Sequence, residues 1–409
     1  MSNLAYLGGA PVKASPSPYL AWPTAGEPER EAMRRVLHSG TWGTIGPESV
    51  AFGREFADYC QSKFGLAVIN GTVSLELILR ALEIGRGDEV IVPPYTFSAT
   101  IHSVCLAGAM PVFADTDPET YTISPESVEA HITGRTRAII AVHLGGRPCD
   151  MDALLAIAQR HHLPLIEDAA HAHGSEWRGR RAGSMGTAGS FSFQASKNIS
   201  CGEGGFITTQ DEALYKKLWK IHNAGRDLAE ATEPVISANA RLAEWQCALL
   251  RARMLRLDSD IEKRMENAAY LDKEMARFPF LRPMKADERI TRNGLHLYVF
   301  RYLQEGLGIS RELFLKALAA ENVTQAGPGY CEPLYDAAFL YSPAFEKLTG
   351  RKFANPKAEL PGNERCAHQE GCWMYHSALL GEKADMDAML EAFEKIARHA
   401  DALRKEEAK

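Results

Sequence analysis

The sequence predicts an α/β fold with a large domain on a mostly parallel β-sheet and a smaller C-terminal α+β domain. Three observations predict it. Over residues 1–250, short β-branched runs alternate with stretches of helical periodicity, the pattern of a parallel sheet covered by helices. From residue 242 to about 278, apolar residues recur at helical spacing through Leu250, Met254, Leu257, Ile261 and Met265. That pattern predicts a long helix, or a helix pair, leaving the first domain. The 409-residue length suits two domains, which we place at 1–250 and 251–409.

In chain order, strands are expected at 66–69, 89–92, 111–114, 138–142, 164–167, 189–193 and 205–208. Helices are expected at 73–83, 99–107, 151–161 and 211–222, with Asp150 and Asp211 as N-terminal caps. The second domain carries a strand at 295–302, a helix at 311–321, an irregular Pro- and Gly-containing stretch at 327–363 and a closing amphipathic helix at 385–403. No internal repeat or low-complexity tract interrupts the chain.

With 45% hydrophobic and 24% charged residues the composition is that of a globular protein with a full core. A formal charge of −6 with scattered Lys and Arg gives no basic face for nucleic acid. The start of the chain lacks a charged segment followed by an apolar run, and no stretch approaches the ~18 apolar residues of a bilayer span. A cytoplasmic location away from membranes is therefore expected. Eight cysteines without a Cys-x-x-Cys pair read as buried thiols rather than disulfides or zinc ligands. His171 and His173, two residues apart with no further ligand nearby, do not make a metal site, and no metal is expected.

Three segments carry chemistry. In Ala67-Val68-Ile69-Asn70-Gly71-Thr72-Val73-Ser74 a strand runs into a helix through a tight turn, and free N–H groups with a hydroxyl suit a phosphate, although any α/β protein has such turns. In Leu165-Ile166-Glu167-Asp168-Ala169-Ala170-His171 an apolar run delivers an acid to a strand's carboxyl end, where open α/β sheets bind ligands; capping the next helix is the plainer alternative. Lys197 follows Asp168 by 29 residues, in a turn between Phe191-Ser192-Phe193 and Gly202-Glu203-Gly204-Gly205. An acid for a pyridinium nitrogen and an amine for an aldehyde are what a pyridoxal phosphate (PLP) enzyme needs. Tyr95 and Phe97 are the aromatic candidates to cover the cofactor ring, with core packing as the alternative for each.

Together these segments resemble the DegT/DnrJ/EryC1/StrS family of sugar aminotransferases, within the fold-type I, aspartate aminotransferase-like PLP enzymes. The resemblance also runs through Trp22-Pro23, Ser39-Gly40-Thr41-Trp42-Gly43, Gly85-Arg86-Gly87-Asp88-Glu89-Val90-Ile91-Val92-Pro93, Val142-His143-Leu144-Gly145-Gly146 and Asn239-Ala240-Arg241-Leu242-Ala243-Glu244-Trp245-Gln246. It implies that Lys197 forms a Schiff base with PLP, Asp168 pairs with the pyridine nitrogen, Phe97 stacks on the ring and His171 lies near the ring hydroxyl. It also implies phosphate binding by Gly71, Thr72 and Ser192, and by Asn239 toward a neighbouring subunit, hence a homodimer. Lysine rather than histidine at 197 favours transamination over the family's dehydratases.

Within the family the chain resembles the L-glutamine:scyllo-inosose and 2-deoxy-scyllo-inosose aminotransferase branch. The cues are the Asp168–Gly174 segment, Phe193-Gln194 and Trp373-Met374-Tyr375-His376-Ser377-Ala378-Leu379-Leu380. The resemblance implies transfer of an amino group from glutamine or glutamate to a ketone on a cyclitol or sugar ring. Trp42, Tyr330 and His376 are the candidate acceptor contacts. Alternatives are a nucleotide-linked keto-sugar aminotransferase, an enzyme like 3-amino-5-hydroxybenzoate synthase, or a catalytically silent regulator.

Overall fold

Side-chain caps and β-branched strands alternate through the first half of the chain, and that alternation sets the architecture. The computed structural model describes residues 4–15, 21–228 and 233–409. The strands of the first part are β1 (Phe64–Val68), β2 (Glu89–Val92), β3 (Met110–Phe113), β4 (Thr136–Val142), β5 (Leu165–Asp168), the short hairpin β6 (Glu176–Trp177) and β7 (Arg180–Arg181), β8 (Ala188–Ser192) and β9 (Gly205–Thr209). Seven of them form one sheet in the order β1-β9-β8-β5-β4-β2-β3. Only β9 runs antiparallel to its neighbours, so the other six share one direction. Strands β2, β5, β8 and β9 are buried along their whole length, so neither of their faces turns to water.

The helices up to residue 320 are α1 (Glu27–Ser39), α2 (Pro47–Tyr59), α3 (Gly71–Ala81), α4 (Ala99–Leu106), α5 (Pro125–Ala130), α6 (Met151–Arg160), α7 (Glu212–His222), α8 (Glu244–Met275) and α9 (Arg311–Ala320). Several of their starts are fixed by side-chain acceptors: Asn70 takes the Val73 N–H, Asp150 that of Ala153, and Asp211 those of Ala213 and Leu214. Each such cap contributes about 1 kcal/mol. Helices α1 and α2, which the sequence pattern does not announce, pack on α8. The fully buried Glu244 of α8 caps α2 from outside by accepting the N–H groups of Gly46, Glu48 and Ser49 at 3.0, 2.8 and 2.9 Å.

Helix α8 is one continuous helix of 32 residues, not a pair. The expected boundary between residues 250 and 251 falls inside it. Its far end enters a second core, where Ala268, Leu271 and Met275 meet Phe278, Phe300, Phe314 and Phe393. That core lies under a second, antiparallel sheet of β10 (Leu281–Pro283), β12 (Leu297–Tyr302), β13 (Ala326–Gly327) and β14 (Gly371–Tyr375), in the order β10-β12-β14-β13. Strand β11 (Ile290–Arg292) pairs with β6 of the first part.

Two expectations change. The stretch 327–363 is not irregular throughout, because a helix, Pro343–Thr349, is capped there by Ser342. The first described residues do not join the large domain either: Leu4 is buried in the second core, and Glu321 accepts the N–H groups of Ala5 and Val12, both at 2.8 Å. Met1–Asn3 lie outside the described residues. All eight cysteines are free thiols. Among the described residues no helix is long and apolar enough to cross a membrane.

Candidate active site

Strands β1, β2, β5 and β8 run in one direction, so their carboxyl ends open on the same edge of the sheet. That edge and the small-domain residues His296, Tyr330, Trp373 and Tyr375 enclose a cleft of about 610 Å³. Gly71, Thr72, Phe97, Asp168, His171, Ser192 and Lys197, far apart in sequence, all line it.

At the start of α3 the Gly71 and Thr72 N–H groups have no acceptor among the described residues. The turn is tightly packed: a Cβ on Gly71 would meet that of Ser192 at 2.9 Å, and one on Gly205 would sit 2.4 Å from the Asn70 carbonyl. Only glycine lets the lysine-bearing segment approach this helix so closely. Open N–H groups, the helix dipole and the hydroxyls of Thr72 and Ser192 can hold a phosphate here.

Asp168 is buried at the end of β5. Its Oδ2 accepts the Thr100 hydroxyl at 3.1 Å and its Oδ1 the Ala170 N–H at 3.2 Å. Burial pushes its pKa above the usual carboxylate value, and these hydrogen bonds with the Lys197 charge only partly offset that. A buried carboxylate with no ion pair among the described residues fits a cationic ring nitrogen. The preceding Glu167 faces the opposite way, pairing with His143 at 3.0 Å and accepting the N–H groups of Gly183, Met185 and Gly186. It anchors the strand end that presents Asp168.

The Lys197 amine has no hydrogen-bond partner among the described residues, and burial lowers its pKa to about 8 against the opposing pull of Asp168. Such an amine is partly unprotonated near neutrality and can attack an aldehyde. His171 accepts the Gly145 N–H on Nδ1 at 3.2 Å, which leaves its proton on Nε2 as a donor. Burial keeps this ring neutral, helped by the nearby lysine.

The two aromatic candidates separate. Tyr95 is buried, its hydroxyl accepting the Tyr330 N–H, whereas Phe97 stays 58% exposed on the cleft wall, free to lie against a flat ring. Among the candidate acceptor contacts, Tyr330 lines the cleft, packed edge-on against Trp373 at 4.8 Å. His376 does not. It is buried behind the lysine turn, where its Nε2 donates to the Ser196 carbonyl, so the expected acceptor contact is corrected. Trp42 also lies outside the cleft, on the surface beside Trp245 with ring centroids 6.1 Å apart. Asn239 is exposed and bridges to Asn223, away from the cleft of its own chain. Thr100, His296 and Trp373 are cleft residues that the sequence does not single out: His296 lies in the expected strand 295–302 and Trp373 only within a motif. Tyr375, which the family resemblance marks as a departure able to alter the acceptor pocket, lines the cleft.

The fold and this cleft define a PLP-dependent aminotransferase. The chain belongs to the DegT/DnrJ/EryC1/StrS aminotransferase family, whose profile fits residues 23–389. A Streptoalloteichus tenebrarius protein provisionally named L-glutamine:3-amino-2,3-dideoxy-scyllo-inosose aminotransferase is 39% identical over 98% of this chain and 100% of its own. The L-glutamine:2-deoxy-scyllo-inosose aminotransferase of Streptomyces lividus is 37% identical over 97% of this chain and 98% of its own. Among solved structures, 3-amino-5-hydroxybenzoic acid synthase superposes with a TM-score of 0.84 at 32% identity, covering 94% of this chain and 100% of that one.

Proposed function

We propose that this enzyme moves the amino group of L-glutamine to a ketone on a cyclitol ring. The observation that carries the reading is the end-to-end similarity to the two aminotransferases named for L-glutamine and scyllo-inosose derivatives, in a chain whose cleft keeps an acid, a neutral histidine and a lysine together. When bound, PLP supplies the electron sink that makes a Cα–H bond acidic and lets an amino group pass between substrates.

The chain's own residues do the rest. Gly71, Thr72 and Ser192 would bind the phosphate, Phe97 would cover the ring, and Asp168 would keep the pyridine nitrogen protonated. His171 would offer its Nε2–H to the ring hydroxyl. The Lys197 amine would hold the cofactor through its aldehyde carbon and, when displaced, would accept the proton lost from the donor Cα and deliver it to that former aldehyde carbon. Tyr330, Trp373 and Tyr375 form a wall with hydroxyl and indole donors suited to a saturated, polyhydroxylated ring.

A homodimer belongs to this reading. Trp42, Ile45, Val50, Ile236 and Trp245 are exposed apolar side chains on the first part of the chain, and the exposed Asn239 has no role in its own cleft. Both features are accounted for if a second copy covers that surface and receives Asn239 at its phosphate.

The test is a two-stage incubation. Glutamine should abolish the visible band of the PLP-loaded protein, and an inosose should restore it. Restoration by nucleotide-linked keto-sugars, but by none of the inososes, would overturn the acceptor assignment.

A further inference from the structure

We propose that His376 and His296 are positioning residues that hold the Lys197 amine in place by clamping the chain on either side of it from the small domain. The proposal rests on Lys197 being the amine that holds the cofactor. On one side, His376, just after β14, donates Nε2–H to the Ser196 carbonyl at 2.9 Å. On the other, Asn198 donates its Nδ2 to the Gly294 carbonyl at 2.7 Å, which orients its Oδ1 toward the Nδ1 of His296 at 3.3 Å. His296, just before β12, is therefore the donor there.

The two histidines act as one piece. The His376 backbone N–H donates to the His296 carbonyl at 3.1 Å, and their rings stack with centroids 5.5 Å apart. Between the two anchor points, the Lys197 carbonyl accepts the Trp22 Nε1–H at 3.1 Å, and the Trp22 ring stands edge-on to His376 at 4.5 Å. Three consecutive residues are thus each tied to a different segment of the chain. The lysine side chain itself has no hydrogen bond among the described residues, so its direction is set by this backbone.

The clamp adds no charge of its own beside the amine. The titratable groups around the amine are Asp168, His171, His173, Glu203, Tyr330 and Tyr375, with the two clamp histidines behind it. Burial, with Arg264 adding to it, pushes His376 down to about 3; burial, His171 and Lys197 push His296 down as well. Both stay neutral donors at any pH where the lysine titrates. On its far side His296 lies against His171, centroids 4.2 Å apart, so the same piece backs a second cleft residue.

The test uses the protein without PLP. Lys197 is trapped with pyridoxal and borohydride across pH, the label is located by peptide mass spectrometry, and folding is checked by thermal melting. The wild-type rate should rise with a midpoint near pH 8. His376→Gln retains an Nε2 donor at the same reach and should match it. His376→Leu and Asn198→Ala should each lose roughly tenfold in trapping rate at pH 8, the scale of one lost hydrogen bond, with the midpoint moving toward the ordinary 10.5 of lysine. The clamp is overturned if a folded His376→Leu keeps the wild-type rate and midpoint, if His376→Gln falls as far as His376→Leu, or, where His376→Leu does not fold, if Asn198→Ala behaves as wild type. Absence of label on Lys197 in the wild-type protein is a separate result, which removes the lysine assignment and the clamp with it.

Discussion

Thr100 donates its hydroxyl to the buried carboxylate of Asp168 at 3.1 Å, from a helix 68 residues earlier in the chain. A hydrogen bond to the charged form favours that form, so this bond counters the upward push of burial on the Asp168 pKa. Thr100→Val keeps the shape and removes the donor. It should weaken PLP binding by about tenfold, the effect of losing a hydrogen bond to a charged group, while Thr100→Ser should bind as wild type. A fluorescence titration of the PLP-free protein with PLP measures both.

The Lys197 pKa of about 8 gives capture of the cofactor a defined pH profile. Only the neutral amine attacks an aldehyde, and its fraction rises about tenfold per pH unit below the pKa, then levels off. The second-order rate of PLP capture, followed by stopped-flow absorbance, should therefore climb from pH 6 to about 8 and flatten above. A plateau reached only near pH 10 would mean that the amine is solvated.

Phe97 and Tyr95 should respond oppositely to substitution. Phe97 is exposed on the cleft, so Phe97→Ala should leave the urea midpoint nearly unchanged and weaken PLP binding by up to about tenfold, the worth of one aromatic stack. Tyr95 is buried and its hydroxyl accepts the Tyr330 N–H at 3.2 Å. Tyr95→Phe should cost about 1 kcal/mol of stability, with a smaller effect on the cofactor.

Glu244 tests the scaffold apart from the site. Its carboxylate is the external cap of α2, taking three N–H groups at 2.8–3.0 Å. Glu244→Ala leaves those donors without their acceptor and should destabilise the protein by about 2–4 kcal/mol. Urea unfolding reads the loss, and affinity for PLP in the folded protein should not change.

The sequence carried most of the sheet, because its strands are short, β-branched and largely apolar runs that stand out between stretches of helical periodicity. The expected 89–92 coincides with β2, and the other six strands of the sheet shift by one or two residues at their ends. Asp150 and Asp211 were legible as caps because the signal is local. Helix α1 was not, since its buried residues are only Glu29, Ala32 and Val36 in an otherwise charged stretch, and it is held by packing on α8. Strand β14 was hidden because its pairing with β12 joins residues at least 70 positions apart. In the cleft, Asp168 was legible as an acid at a strand end and Lys197 as a lone lysine in a Ser- and Gly-rich turn. Thr100, His296 and the true place of His376 were not, because each acts through a contact 68, 98 or 180 residues away.

Which nitrogen holds the cofactor decides every role assigned to the cleft. Reduction of the PLP-loaded protein with borohydride, followed by peptide mapping, should place a pyridoxyl group on Lys197, and Lys197→Ala should carry none while still folding. Label on another lysine, or undiminished label in Lys197→Ala, would contradict it.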